Sequence, residues 1–185
     1  MIDYLCMHGT IFFELKKYVE TKLGHEAWDR LLTEADLGVR TYEVMADFPD
    51  SELIKLVETA SRMTQVPIPA ILEDFGEFIA PDLLQMYAGT INPAWKTLDV
   101  IQHTEDEIHR VVRLHNRDAH PPLLKAIRTA ADEVVMEYGS PRKMCFVAKG
   151  IAKGLAKHYQ ESISISEPNC MHKGDPACTI VIKQS

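Results

Sequence analysis

The character of this chain changes at the stretch EVVMEYGSPR, residues 133–142. Its first six residues, 133–138, are rich in β-forming side chains and predict a strand, and residues 123–130 predict another strand just before it. The alternation of serine and isoleucine over 162–166 predicts a half-buried strand that pairs with 179–183. The C-terminal part of the chain is therefore expected to form a four-stranded antiparallel sheet.

The other segments have the apolar spacing of helices. Helices are predicted over 11–23, over 25–35, after a cap at Asp50 and Ser51, after 67–69, and over 143–159. Pro81 is expected to interrupt the fourth helix, because proline removes a backbone hydrogen bond. Helices followed by an antiparallel sheet indicate an α+β fold, and 185 residues suit one domain built as two lobes.

One further helix carries a histidine, His109, at the edge of its apolar side. We expect this helix to begin at Asn92 and Pro93 and to end at 120–122, because consecutive prolines cannot continue a helix.

The composition excludes several classes of protein. The net charge of −7, from 20 basic and 27 acidic residues, argues against nucleic-acid binding, which rewards clustered Lys and Arg. No apolar run approaches the ~20 residues that span a bilayer, and Asp3 stands where a signal peptide would carry a basic residue. We therefore expect a cytoplasmic protein that binds neither nucleic acid nor membrane.

His109 and the alternating Tyr138, Ser140 and Arg142 suggest a cofactor site. A neutral imidazole is a good iron ligand, because one ring nitrogen binds the metal while a hydrogen bond holds the other. The guanidinium of Arg142 binds carboxylates bidentately, and the two hydroxyls add shorter hydrogen bonds. This set suits the paired carboxylates of haem, which indicates a gas or redox sensor.

The combined pattern resembles the H-NOX family, the haem nitric oxide/oxygen-binding domains related to the haem domain of soluble guanylate cyclase. The resemblance rests on residues 7–11, on Ile108 and His109 followed by the proline pair 121–122, and on the Tyr-x-Ser-x-Arg motif of 138–142. The joint order and spacing of these motifs make the resemblance specific, and it covers nearly the whole chain.

The resemblance implies a single haem domain over 1–185. Residues 1–6 would be an N-terminal extension and about 7–65 a helical distal lobe. About 66–185 would be a proximal lobe, in which helices and the four-stranded sheet enclose the haem.

The resemblance also implies roles for individual residues. His109 would be the axial ligand of the iron in haem b. Tyr138, Ser140 and Arg142 would hold the haem propionates, and Pro122 would press on the porphyrin and help distort it.

The residues expected beside the gas ligand are apolar. In oxygen-binding members of the family a distal tyrosine lies over the iron, and Val147 stands at that position here. Leu15, Ile79 and Leu83 are the other residues expected in this pocket. Bound O₂ carries partial negative charge and gains from a hydrogen-bond donor, whereas NO binds ferrous iron well in an apolar pocket. We therefore predict an NO sensor that discriminates against O₂, with CO as a further ligand.

The resemblance implies a switch in which NO weakens the iron–His109 bond and the helix carrying His109 shifts. A partner in trans would read the two states: a histidine kinase, or a diguanylate cyclase with a phosphodiesterase. The sequence contains no P-loop, nucleophile elbow or zinc-hydrolase motif, so we do not expect an enzyme.

Three cysteines form a second candidate site. Cys145, Cys170 and Cys178, with His172 between the last two, suit tetrahedral zinc. Some H-NOX members carry a four-cysteine zinc site in this region, and Glu167 stands here in place of one cysteine, so His172 or Glu167 would be the fourth ligand. The alternatives are three buried, reduced cysteines, or a zinc-thiolate redox sensor as the main function of the chain.

Overall fold

The computed structural model describes residues 6–116 and 119–185. The chain forms two compact units. One unit ends at Phe75 and the other comprises Gly76–Ser185, so the division falls inside a single helix, Ile68–Met86. Most helices precede a four-stranded antiparallel sheet, and one helix lies between the second and third strands of that sheet in the chain, which confirms the α+β fold class.

The first unit is mainly helical. It contains strand β1 (Cys6–His8), helices α1 (Gly9–Leu23) and α2 (Glu26–Glu34), strand β2 (Asp47–Pro49) and helix α3 (Asp50–Thr64). The antiparallel pair of β1 and β2 was not predicted, because strands of three residues have too few positions to show a period of two. The predicted cap of α3 is wrong, since Asp50 is already the first helical residue and follows Pro49 at the cap position.

Helix α4 (Ile68–Met86) runs through Pro81 without a break, so the predicted interruption is wrong. A proline inside a helix costs about 3 kcal/mol. Packing on both sides of Pro81 offsets this cost, because Ile79, Ala80 and Leu84 are all buried.

The helix that carries His109 differs from its prediction at both ends. Asn92 and Pro93 form a turn instead, in which Asn92 Oδ1 accepts a hydrogen bond from the Ala94 amide at 2.9 Å. The helical part consists of α5 (Thr97–His103), a π-helical segment (Thr104–His109) and α6 (Arg110–His115). It therefore begins later and stops before the proline pair. A single π turn has no sequence period of its own, so the periodicity could not predict it.

The four predicted strands are confirmed. They are β3 (Leu123–Ala130), β4 (Glu133–Gly139), β5 (Ile163–Asn169) and β6 (Cys178–Gln184), in the antiparallel order β3-β4-β6-β5. Alternate residues of the two central strands face the core and are almost fully buried: Val134, Met136, Tyr138, Cys178, Ile180 and Ile182.

Helix α7 (Cys145–His158) starts two residues later than predicted, because Lys143 has a positive φ of 52° that a helix cannot contain. It packs against α4 through glycines. A Cβ on Gly154 would lie 2.5 Å from Ala80 Cβ, and a Cβ on Gly76 would lie 2.3 Å from the Val147 carbonyl oxygen. The two helices therefore approach more closely than any larger side chain would allow.

This contact predicts that Gly154→Ala destabilises the protein. The added methyl would meet the Glu77 carbonyl oxygen at 2.6 Å as well as Ala80, so the helices must separate. We expect a loss of about 1–3 kcal/mol in the free energy of unfolding, measured by denaturant titration. Gly89→Ala is the matched control, because nothing lies within 4 Å of its added Cβ. Equal stability of Gly154→Ala and the wild type would contradict the close approach.

Candidate functional site

His109 is the last residue of the π-helical segment, and its side chain is 13% exposed. Its Nδ1 lies 3.0 Å from Oε2 of Glu105, four residues earlier. A carboxylate acceptor keeps the proton on Nδ1, so Nε2 is the nitrogen that a metal would take. Burial lowers the pKa of His109 and outweighs the opposing effects of Glu105 and of a hydrogen bond to the Pro122 backbone. The ring is therefore neutral at pH 7, which is the form that binds metals.

Glu105 accepts two further hydrogen bonds. Arg113 Nη2 donates to Oε1 at 2.5 Å, and the Leu124 amide at the start of β3 donates to Oε2 at 3.1 Å. Burial raises the pKa of Glu105, but the hydrogen bonds from His109, Arg113 and Leu124 outweigh it, so the pKa lies below its ordinary value. Glu105 was not predicted as a site residue, although its spacing of four residues from His109 on a helix places the two side chains on one face.

The Tyr-x-Ser-x-Arg residues lie at the end of β4 and in the turn that follows. Tyr138 is 3% exposed and Ser140 9% exposed, and Ser140 Oγ accepts a hydrogen bond from the Arg142 amide at 3.2 Å. Burial raises the pKa of Tyr138 to about 12, against the opposing effect of a hydrogen bond with Ser140. The phenol therefore keeps its proton at neutral pH and can donate a hydrogen bond.

The arginine of the motif reaches toward the proline pair. Arg142 Nη1 donates to the His120 carbonyl oxygen at 2.5 Å, next to Pro121 and Pro122 in the chain. The strand β3 that follows them pairs with β4, with Leu124 directly opposite Tyr138. Hydrogen bonds to Glu105 and the pairing of Leu124 with Tyr138 thus connect His109 to the motif within the second unit.

Three of the predicted distal residues lie on the two helices that touch at Gly76. Ile79 is 1% exposed on α4, Leu83 on the same helix is half-buried, and Val147 is half-buried on α7. Leu15 belongs to α1 in the first unit and is also buried. All four side chains are apolar, so none of them supplies a hydrogen-bond donor.

The three predicted cysteines come together between α7 and the last two strands. Cys170 Sγ lies 4.0 Å from Cys145 Sγ and 3.9 Å from Cys178 Sγ, and all three residues are buried. The turn between β5 and β6 is fixed by its own hydrogen bonds. The Cys170 amide donates to Asp175 at 2.7 Å, and the Met171 amide donates to Cys178 Sγ at 3.3 Å.

The fourth residue of this cluster is Glu167, and His172 lies outside it. Glu167 offers an oxygen within 4.8 Å of all three sulfur atoms. His172 is exposed, and its Nε2 lies 2.7 Å from the Lys143 carbonyl oxygen. Of the two candidates for a fourth ligand, the structure therefore brings Glu167 to the cysteines and not His172.

Glu167 uses its two oxygens differently. Oε2 accepts a hydrogen bond from Lys149 Nζ at 2.9 Å, whereas Oε1 is buried without a hydrogen-bond partner among the described residues. Burial raises the pKa of Glu167, but Lys149 and the neighbouring thiols of Cys145 and Cys170 outweigh it, so the pKa is lowered. A buried, ionised oxygen beside three thiols fits a fourth metal ligand, because such an oxygen is costly to leave unpaired.

Known proteins share this fold over almost the whole chain. A family model described as Haem-NO-binding (HNOB) matches residues 8–167. An H-NOX protein from S. oneidensis, in a crystal structure of its Fe(II)NO ligation state, is 27% identical with a TM-score of 0.90, covering 97% of this chain and 99% of that one. The Fe(II) unliganded H-NOX protein from K. algicida is 25% identical with a TM-score of 0.85, covering 97% of each chain.

A curated relative is much longer than this chain. Soluble guanylate cyclase gcy-35 of Caenorhabditis elegans is 21% identical, over 84% of this chain and 23% of its own length. The chain therefore spans less than a quarter of that relative.

These matches define the class of protein as a haem-based gas-sensor domain related to soluble guanylate cyclases. The chain belongs to the Haem-NO-binding family, whose members are the H-NOX domains. H-NOX domains bind haem and are sensors, not catalysts, so the predicted family and the prediction that the chain is not an enzyme are both confirmed. Among the described residues, no helix is long and apolar enough to cross a membrane.

The burial of the cluster predicts slow reaction of its thiols. Burial raises the pKa of both Cys145 and Cys178, so the reactive thiolate is scarce at neutral pH. In the native, metal-free protein we expect Cys6, which is partly exposed, to react with iodoacetamide well before the other three cysteines. Peptide mass spectrometry after timed labelling measures this order. Equal labelling of all four cysteines in folded protein would contradict the described packing.

Proposed function

We propose that this domain senses nitric oxide through a ferrous haem b whose axial ligand is His109. The observation that carries the proposal is the neutral, largely buried His109, whose Nδ1 is fixed by Glu105 while Nε2 remains the nitrogen for a metal. A bound haem would supply the iron at which a diatomic gas binds. The similarity to an H-NOX protein in its Fe(II)NO state supports NO as that gas.

The residues around His109 fit the remaining parts of haem. Tyr138 and Ser140 offer hydroxyl groups and Arg142 a guanidinium, which together suit two propionate carboxylates. Arg142 now donates to a backbone carbonyl, so a carboxylate would replace a neutral acceptor with a charged one. Pro122, two residues before Leu124 of β3, is proposed to contact the porphyrin.

Discrimination against O₂ is proposed from the chemistry of the distal residues. Leu15, Ile79, Leu83 and Val147 carry no hydrogen-bond donor, and bound O₂ depends on such a donor more than NO does. CO, which is a neutral ligand, is proposed to bind as well.

The signal is proposed to pass to a partner protein that contacts one state of the His109 segment more tightly than the other. A partner can shift the equilibrium only by its difference in affinity for the two states. The candidates are a histidine kinase, or a diguanylate cyclase with a phosphodiesterase. The cytoplasmic location stays a prediction.

The test is an absorption spectrum of the reduced protein under anaerobic conditions, repeated after addition of NO and, separately, of air. We expect a ferrous haem spectrum that changes with NO to a five-coordinate form and shows no stable O₂ complex. A stable O₂ complex would contradict the proposed discrimination, and failure to bind haem after reconstitution would contradict the whole proposal.

Val147→Tyr should introduce a hydrogen-bond donor among the distal residues, none of which carries one in the wild type. We expect this variant to form a more stable O₂ complex in air than the wild type, because the phenol can donate to bound O₂. Val147→Phe is the matched control, since it adds the ring without the hydroxyl group. The O₂ dissociation rate, measured by stopped-flow absorption, decides the outcome. Equal rates for the Tyr and Phe variants would place residue 147 outside the reach of the ligand.

We propose a zinc-thiolate site at Cys145, Glu167, Cys170 and Cys178 as a second function. The specific observation is the convergence of three sulfur atoms and one carboxylate oxygen within 4.8 Å. Zinc would displace the thiol protons and would give Glu167 Oε1 a partner, which it lacks among the residues that the structure describes. A redox role would follow if a two-electron oxidant such as a peroxide took two electrons from the thiolates of Cys170 and one neighbour, so that they formed a disulfide and released the metal.

Glu167→Gln should weaken zinc binding by about tenfold or more, because the charged ligand becomes a neutral amide. Competition with a chromogenic chelator gives the affinity, and metal content under reducing and oxidising conditions tests the redox role. Glu137→Gln is the control, since Glu137 is exposed on β4. Absence of zinc from reduced wild-type protein incubated with the metal would rule out the site.

A further inference from the structure

Glu105 joins three elements of the second unit. Its carboxylate receives hydrogen bonds from His109 in the π-helical segment, from Arg113 in α6 and from the Leu124 amide in β3. The Glu105 side chain is only 24% exposed, so these charge-assisted bonds are partly shielded from water. An exposed ion pair would add little to the stability of the fold. The Glu105 carboxylate differs from such a pair, because it accepts hydrogen bonds from an imidazole, a guanidinium and a backbone amide.

We propose that Glu105 is a positioning residue that sets the donor strength of His109 and couples the histidine to the start of β3. The inference rests on the proposed function, because it concerns His109 as an iron ligand.

The first part of the proposal follows from the bond to Nδ1. A carboxylate that accepts a hydrogen bond from Nδ1–H fixes the tautomer and the ring orientation, and it makes the other nitrogen more electron-rich. Glu105 therefore strengthens the bond that Nε2 can form to a metal. A neutral acceptor in the same place would fix the orientation of the ring, but it would leave Nε2 less electron-rich.

The second part follows from the bond to Leu124. β3 is an edge strand of the sheet, and the Leu124 amide is satisfied by Glu105 instead of by a neighbouring strand. Leu123, immediately before it, is 70% exposed, so this end of the strand lies at the surface. The same oxygen, Oε2, accepts from both His109 and Leu124. A movement of His109 thus changes the acceptor that anchors the edge strand.

Arg113 explains how Glu105 keeps its place when His109 moves. The guanidinium binds Oε1, the oxygen that neither His109 nor Leu124 uses. The carboxylate therefore stays close to α6, and its Oε2 can shift between the imidazole and the amide. The start of β3 is in this way a surface element whose order depends on the state of His109.

The experiment uses Glu105→Gln, which keeps the shape of the side chain and removes its charge, and Glu105→Ala. Glu107→Gln is the matched control, because Glu107 lies on the same π-helical segment, is 39% exposed and pairs only with Arg110 among the described residues. Resonance Raman spectroscopy of the ferrous protein measures the Fe–His stretching frequency. Amide hydrogen exchange measures the protection of Leu124, in haem-free protein and in haem-loaded protein with and without NO.

We expect Glu105→Gln to lower the Fe–His stretching frequency and Glu107→Gln to leave it unchanged. A purely structural role of Glu105 would not move this frequency in a variant that still folds. In Glu105→Ala the Leu124 amide should exchange at least about tenfold faster than in the wild type, because it loses a charged acceptor. NO should accelerate Leu124 exchange in the wild type but not in Glu105→Ala.

An unchanged Fe–His frequency in Glu105→Gln would overturn the first part of the proposal. Leu124 exchange that is independent of Glu105, or independent of NO in the wild type, would overturn the second part. Failure of the proposed function is distinguishable, because wild-type protein would then show no Fe–His vibration at all. The exchange of Leu124 in haem-free protein still tests its bond to Glu105 in that case.

Discussion

The carboxylate of Glu105 holds together the parts of the second unit that the proposed sensor needs. It orients His109, keeps Arg113 beside the π-helical segment and anchors Leu124, the second residue of β3. The ladder between β3 and β4 then places Leu124 opposite Tyr138, which begins the Tyr-x-Ser-x-Arg motif. A partly buried carboxylate is stable here only because its donors offset the cost of burial, so removal of any one donor would weaken the hold on the others.

The two candidate sites lie at the same end of β4. Tyr138 is paired with Leu124 on one side and with Cys178 on the other, so the strand separates the proposed haem ligands from the thiol cluster. Each site pairs a potential metal ligand with a carboxylate held by a cation, Glu105 by Arg113 and Glu167 by Lys149. The roles differ, because Glu105 contacts the proposed ligand His109 and Glu167 is itself a candidate ligand.

The sequence predicted the parts of this structure that depend on local patterns. The four strands follow from β-forming residues and alternation, and the order of His109, the proline pair and the motif identified the family. Features that depend on tertiary contacts were missed. Pro81 continues a helix because packing outweighs its local cost, and the π turn before His109 has no period to detect. The sequence could not decide between Glu167 and His172 as the fourth residue of the cysteine cluster. The answer depends on which side chain the turn between β5 and β6 directs toward the sulfur atoms.

The central claim is that His109, among several nearby histidines, is the iron ligand. It is tested most directly by the ferrous absorption spectra of three variants, His103→Ala, His109→Ala and His115→Ala. His103 stacks on Trp95 at 4.6 Å between ring centroids, and His115 Nδ1 lies 2.9 Å from the Val111 carbonyl oxygen, so both have other roles. The account predicts that only His109→Ala loses the five-coordinate, histidine-ligated spectrum and that free imidazole restores it. An unchanged spectrum in His109→Ala, or its loss in one of the other two variants alone, would contradict the account.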